Sequence, residues 1–304
     1  MLVGVHAFPS AMRSLLVVCL IACGSKTAER EPPKQAVAPV APVAPVAPVV
    51  ADAAAPPALS TELRAKWEHG CFMLRTAGGL VENDRARCAM GRRPYSTFKL
   101  ANSLIAVDAG VLDGPDAPMQ WDKKAVPDEK KYLDAWRKDH TLRSAIKVSS
   151  VPHFRTLART IGETRMKAGL AKLDYGSQNI GGGLDKFWLS GDIRISAEQQ
   201  LAFVDKLAKG ELAVSAKAQA VVREISTLET KGTRVLHGKT GSGSGWDRDP
   251  PASDYLVWQV GWIEDGKTIV PYAAWLEVSG GTFDDARAKR DALLRETLTA
   301  LGAF

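Results

Sequence analysis

The segment Pro94-Tyr95-Ser96-Thr97-Phe98-Lys99-Leu100-Ala101-Asn102-Ser103-Leu104 sets a Ser and a Lys three residues apart at the start of an apolar helix. Leu100, Leu104, Ile105 and Ala106 recur on one face and Gly110 marks an end, so a helix is expected from Ser96 to about Gly110. Residues i and i+3 share a helix face. The Lys99 amine can therefore sit beside the Ser96 hydroxyl and accept its proton. The same S-x-x-K spacing recurs at Ser144/Lys147, and a chain of this length should show about one by chance. Spacing alone does not select the nucleophile.

Working outward from this helix, strands fall near both ends and helices fill the middle. Gly70–Arg75 and Leu80–Cys88 read as two strands around the turn Ala77-Gly78-Gly79. Residues 140–172 read as largely helical, broken near Pro152. Ser196 and Gln199 make a capping box before Leu201, Phe203, Val204 and Leu207. Strands are expected at 232–240, 255–264 and 267–277, the last two joined at Asp265-Gly266, with Pro271 an awkward presence in the last. Asp284 and Asp285 open a final helix carrying Leu293, Leu294, Leu298 and Leu301. The pattern predicts an α+β fold: an antiparallel sheet in which the two ends of the chain meet, flanked by helices, with a helical subdomain inserted.

The N-terminus reads as an address and a tether. Arg13 precedes an apolar run from Leu15 to Ala22 that ends in Leu20-Ile21-Ala22-Cys23-Gly24, the pattern of a signal peptide over residues 1–22 with a lipobox. Met12 is a second possible start. Lipidation of Cys23 is expected, and Gly24 rather than Asp after it suits sorting to the periplasmic side of an outer membrane. The alternative is an ordinary secretory signal with Cys23 incidental, giving a periplasmic or secreted protein. Residues 23–58 are rich in Ala, Pro and Val, with Ala-Pro-Val repeated between Ala38 and Val49. Regular Pro imposes polyproline II, and at ~3.1 Å per residue this tether reaches about 100 Å. The folded domain is then 59–304.

Cys19 leaves with the signal, so Cys71 and Cys88 remain as an expected disulfide, with two buried thiols as the alternative. No later run of 18 apolar residues exists, so no internal membrane span is expected. The net charge of +6, from 40 basic and 34 acidic residues, suits a scattered basic surface rather than a nucleic-acid stripe. Oligomeric state is left open.

His6, His69, His140, His153 and His237 have no partner at metal-ligand spacing, so no metal is expected. There is no G-x-S-x-G elbow, P-loop or dinucleotide fingerprint. Lys239-Thr240-Gly241, however, joins S-x-x-K in the pattern of penicillin-recognising serine enzymes. The blocks around these motifs are more specific. They are the Ser96 segment; Trp136 with Asp139-His140-Thr141-Leu142; Ala145-Ile146-Lys147 leading to Ser149-Ser150-Val151-Pro152; Asp174-Tyr175-Gly176-Ser177; Phe187-Trp188-Leu189-Ser190-Gly191; Lys239-Thr240-Gly241; and Val260-Gly261-Trp262-Ile263-Glu264. In content and order they resemble the class D (oxacillinase-type) serine β-lactamases over about residues 65–302.

The resemblance implies a serine β-lactamase/penicillin-binding-protein-like fold and hydrolysis of β-lactams. Ser96 would be acylated. Lys99 would react with carbon dioxide to form N6-carboxylysine, the general base, with no other cofactor. Phe98, Val151, Trp188 and Leu189 would give it an apolar pocket, and the Trp188 N–H would donate to the carbamate. Ser149 would relay protons. Lys239, Thr240 and Gly241 would receive the substrate's carboxylate region, with Arg290 as the carboxylate-binding Arg. Backbone N–H groups of Ser96 and Ser242 would form the oxyanion hole. His140 is expected to be structural. Tyr95 in place of a usual Ala, Ser177 in place of a usual Asn, and a long Gly241–Tyr255 loop with Trp246 and two Pro depart from the pattern. The other readings of such a chain are a β-lactam sensor that barely deacylates and a penicillin-binding transpeptidase or carboxypeptidase.

Overall fold

A computed structural model describes residues 57–130, 132–244 and 254–304. The expected signal peptide, Cys23, all but the end of the tether, and Trp246 lie outside the described residues. In chain order the elements are α1 (Thr61–Lys66), β1 (Gly70–Thr76), β2 (Gly79–Glu82), α2 (Arg85–Cys88), a 3-10 turn (Tyr95–Phe98) running into α3 (Lys99–Asp108), β3 (Pro118–Met119), β4 (His140–Thr141), α4 (Leu142–Lys147), α5 (Val151–Ile161), α6 (Glu163–Leu173), α7 (Ala197–Lys209), α8 (Ala216–Ile225), β5 (Thr227–Lys231), β6 (Arg234–Ser244), β7 (Tyr255–Asp265), β8 (Thr268–Val278) and α9 (Phe283–Ala300).

The main sheet has the order β2-β1-β8-β7-β6-β5, and every neighbouring pair is antiparallel. Pairing of β1 with β8 brings the two ends of the domain together. Side chains alternate across a strand, and the sheet separates two cores accordingly. Cys71, Met73, Trp258, Val260, Trp262 and Trp275 face the helical side with α3, α7 and α8. Phe72, Leu74, Val257, Ile263 and Tyr272 face α1 and α9. Trp67 Nε1 donates to Thr297 Oγ1 at 3.0 Å and ties α1 to α9. Helix α3 is buried from Lys99 to Val107, the state expected of a helix surrounded on all sides. Gly169 of α6 permits that enclosure, since a Cβ there would lie 2.5 Å from Ile105 Cγ1.

The α+β reading, the capping box at Ser196 and Gln199 and the Asp265-Gly266 hairpin agree with the structure. Other elements differ. The second strand does not reach Cys88. It stops at Glu82, where the Asn83 carboxamide bonds to Phe72 N, Trp67 O and Gly70 O and Asp84 caps α2. Cys88 therefore meets Cys71 from a helical turn rather than an opposed strand, with Cα atoms 5.1 Å apart in a disulfide. The helical stretch at 140–172 breaks before Pro152, at Ser149 with φ +53°, and again at Gly162 with φ +79°. Pro152 sits inside the first turn of α5, where a missing N–H costs nothing. The strand expected from 232 begins at Arg234 and runs on to Ser244. Pro271 is tolerated one residue past Tyr272, the last β8 residue in register with β1.

The disulfide closes a sequence separation of 17 residues, a loop for which a crosslink contributes roughly 3 kcal/mol. The Cys71→Ala/Cys88→Ala protein should lose about that much in urea unfolding, and a reductant should lower the wild-type midpoint to match.

Candidate active site

The 3-10 turn delivers Ser96 to the N-terminal end of α3, one turn ahead of Lys99. Lys99 Nζ lies 2.6 Å from Ser96 Oγ and 3.4 Å from Ser149 Oγ. Ser149 reaches this point because its left-handed backbone reverses the chain between α4 and α5. Trp136 Nε1 secures that reversal by donating to Val148 O at 2.9 Å. Ser150 and His153 are buried behind it, with Oγ and Nδ1 2.6 Å apart.

Lys99 is 0% exposed. The Phe154 ring centroid is 5.4 Å from its Nζ. The neighbouring Phe98 packs on Phe187, Trp188 and Tyr175, and Leu189 is half-buried against the same core. Val151 is half-buried at the start of α5. Burial disfavours the charged amine, and the positive charge of Lys239 adds repulsion, so the Lys99 pKa lies well below the usual lysine range.

The nucleophile turn lies against β6. Lys239, Gly241 and Gly243 alternate onto the helical face, while Thr240 and Ser242 face α9. A Cβ on Gly241 would lie 2.7 Å from Pro94 O and 3.0 Å from Thr97 N, so only Gly permits this approach. Lys239 Nζ donates to Thr240 O at 3.0 Å and lies 3.4 Å from Thr240 Oγ1. Burial, then the charges of Arg290 and Arg287, bring its pKa down to about 7. Strand β5 is in register with β6 only as far as His237.

Arg290 is 2% exposed. Its guanidinium donates to Trp258 O at 2.9 Å and to the Asp291 carboxylate at 2.5 Å and 2.9 Å. Arg287, which the sequence reading passed over, is the outer cation of this pair. Its side chain is 48% exposed and its Nε lies 3.4 Å from Ser242 Oγ. Phe154 was passed over as well. Its signal was present in the α5 pattern Phe154, Leu157, Ala158, Ile161, which marks a buried face but not what that face touches.

The second S-x-x-K is structural. Ser144 completes the capping box of α4, and Lys147 is exposed. His140 is held by Ser144 Oγ at 2.9 Å and Ala135 O at 2.8 Å. Ser177 takes a local role, accepting from Arg194 N at 3.0 Å. Among the described residues no group of His, Cys, Asp or Glu could hold a metal ion.

The site thus brings together a buried Lys beside a Ser, a second Ser-bearing turn and Lys-Thr-Gly on the facing strand, and comparison with known proteins gives the family. Residues 68–295 match the penicillin binding protein transpeptidase domain family. The chain is 37% identical to β-lactamase OXA-10 of Pseudomonas aeruginosa over 220 residues, 71% of this chain and 79% of that one. It is 35% identical to β-lactamase OXA-48 of Klebsiella pneumoniae over 71% of this chain and 76% of that one. The chain belongs to the class D serine β-lactamases. The structure of the class D β-lactamase FUS-1 (OXA-85) from Fusobacterium nucleatum subsp. polymorphum superposes with a TM-score of 0.72 at 33% identity, covering 81% of this chain and 99% of that one.

Proposed function

We propose that this enzyme hydrolyses β-lactams through an acyl-enzyme on Ser96, with Lys99 carboxylated on Nζ. The observation that carries the reading is the fully buried Lys99 amine 2.6 Å from Ser96 Oγ. Among the described residues no carboxylate is within ion-pairing distance of it. Such an amine stays neutral, and only a neutral amine reacts with carbon dioxide, releasing one proton. The carbamate so formed supplies a base that takes the Ser96 proton and, later, a proton of the hydrolytic water.

The chain's own groups do the rest. Ser96 Oγ attacks the lactam carbonyl and the ring C–N bond breaks. Ser149 passes a proton to the departing nitrogen, and water then releases Ser96. The Ser96 and Ser242 N–H groups hold the developing oxyanion. The Trp188 indole N–H steadies the carboxylated side chain. The substrate carboxylate docks at Lys239, Thr240 and Gly241. Arg290, buried and saturated by Trp258 O and Asp291, does not reach the carboxylate as the resemblance implied and contributes only its charge from behind β6.

A slowly hydrolysed penicillin should leave a single mass adduct, on the peptide that carries Ser96. An adduct on the Ser144 peptide would reverse the choice between the two motifs.

Carboxylation competes with protonation, so activity should fall in acidic, bicarbonate-depleted buffer and recover when bicarbonate is added. Trp188→Phe keeps most apolar volume and removes the N–H. It forfeits a charge-assisted hydrogen bond of ~1.5–3 kcal/mol, and so should raise the bicarbonate requirement roughly ten- to over a hundredfold. Bicarbonate-independent turnover between pH 5 and 8 in both proteins would refute the carbamate.

We also propose that Cys23 is lipidated, tethering the domain on the periplasmic side of an outer membrane through the Ala/Pro/Val-rich segment. In a host that processes lipoproteins, Cys23→Ala should release the protein from the membrane fraction. Absence of an acyl mass on wild-type Cys23 would refute the anchor.

A further inference from the structure

Tyr95 immediately precedes the nucleophile and has φ +49°, a left-handed backbone that a bulky residue adopts only when its surroundings hold it. Its side chain supplies the hold. The residue is 4% exposed. Its hydroxyl donates to Ser244 O at the end of β6. Its ring lies flush on Gly243, where a Cβ would fall 1.9 Å from a ring carbon. The Arg93 guanidinium stands 6.0 Å from the ring centroid.

These contacts bracket one place. Gly241 presses on Pro94 O and Thr97 N, and Gly243 presses on the Tyr95 ring. Ser242 lies between the two glycines, and Ser96 lies between Tyr95 and Thr97. The N–H groups of Ser96 and Ser242 thus sit between two close approaches of the same pair of segments. An oxyanion hole works only when both donors are fixed at the position the oxyanion will take. We propose that Tyr95 is a positioning residue, clamping the end of β6 to the nucleophile turn and so setting the spacing of the two oxyanion-hole donors. The inference rests on the acyl-enzyme reading above. It assigns a role to a side chain the family pattern does not supply.

The test is a double-mutant cycle between Tyr95 and Gly243 in the full chain. It reads the acylation rate constant from pre-steady-state kinetics, the dissociation constant of the noncovalent complex, and affinity for a boronic acid that forms a tetrahedral adduct on Ser96. Tyr95→Phe removes only the O–H. It should slow acylation about tenfold and weaken the boronate to a similar degree, with the noncovalent dissociation constant unchanged. Gly243→Ala drives a Cβ into the ring and should slow acylation about a hundredfold in wild type. In Tyr95→Ala, where the ring is gone, the same substitution should cost acylation less than about threefold; a merely structural contact would couple the two in unfolding stability but not in the acylation rate constant.

Equal costs of Gly243→Ala in both backgrounds would overturn the clamp. So would a Tyr95→Phe protein with wild-type acylation and boronate affinity, a comparison that stands even if Tyr95→Ala fails to fold. Wild-type protein that forms no Ser96 adduct would overturn the acyl-enzyme reading itself, and the clamp with it.

Discussion

The site depends on keeping one lysine amine dry. Lys99 is enclosed on α3 by helices on every side, with the Phe154 ring beneath Nζ and the cluster of Phe98, Phe187 and Trp188 beside it. A buried ammonium without an anionic partner is far costlier than a buried amine, so burial pushes the Lys99 pKa well below the usual lysine range. Lys239, itself buried and brought to about pKa 7, pushes in the same direction. On the proposed mechanism, helix packing, usually a matter of stability, sets reactivity here. By the same mechanism, a change that lets water reach Nζ would favour the charged amine and weaken the base while leaving Ser96 in place.

The sheet supplies the second half of the site by dividing labour between its faces. On β6, alternation sends Lys239 and the two glycines toward the nucleophile and sends Thr240 and Ser242 toward α9. The arginines of α9 therefore act from behind the strand. Arg290 is saturated by Trp258 O and Asp291, and Arg287 reaches Ser242. Three cations converge on one strand: Lys239 on the face toward the nucleophile, and Arg290 and Arg287 from α9, these two paired with Asp291 and Asp284. Such a concentration of positive charge favours an anionic ligand.

Much of this was legible in the sequence because the informative residues announce themselves locally. The apolar spacing after Ser96 marks α3, Ser196 with Gln199 marks α7, and Asp265-Gly266 marks the hairpin. What was illegible depends on partners distant in the chain. Strand β5, Thr227-Leu228-Glu229-Thr230-Lys231, is almost wholly exposed and has no apolar alternation to betray it. The strand expected up to Cys88 gave way to Asn83 and Asp84, whose side chains cap and turn only once Trp67, Gly70 and Phe72 are alongside. At the site, Ser96 and Lys99 were readable as an i, i+3 pair. Phe154 and Arg287 were not, since nothing in a single helix says which neighbour its face will meet.

The most direct measurement of the central claim is the protonation state of Lys99 itself. In full-length protein with 13C at the lysine ε-carbons, kept free of carbon dioxide, each ε-resonance reports its own titration, and Lys99→Arg identifies the one that belongs to Lys99. The account predicts that this resonance titrates well below the exposed lysines, leaving the amine neutral at neutral pH. A Lys99 resonance that titrates together with those of the exposed lysines would contradict it.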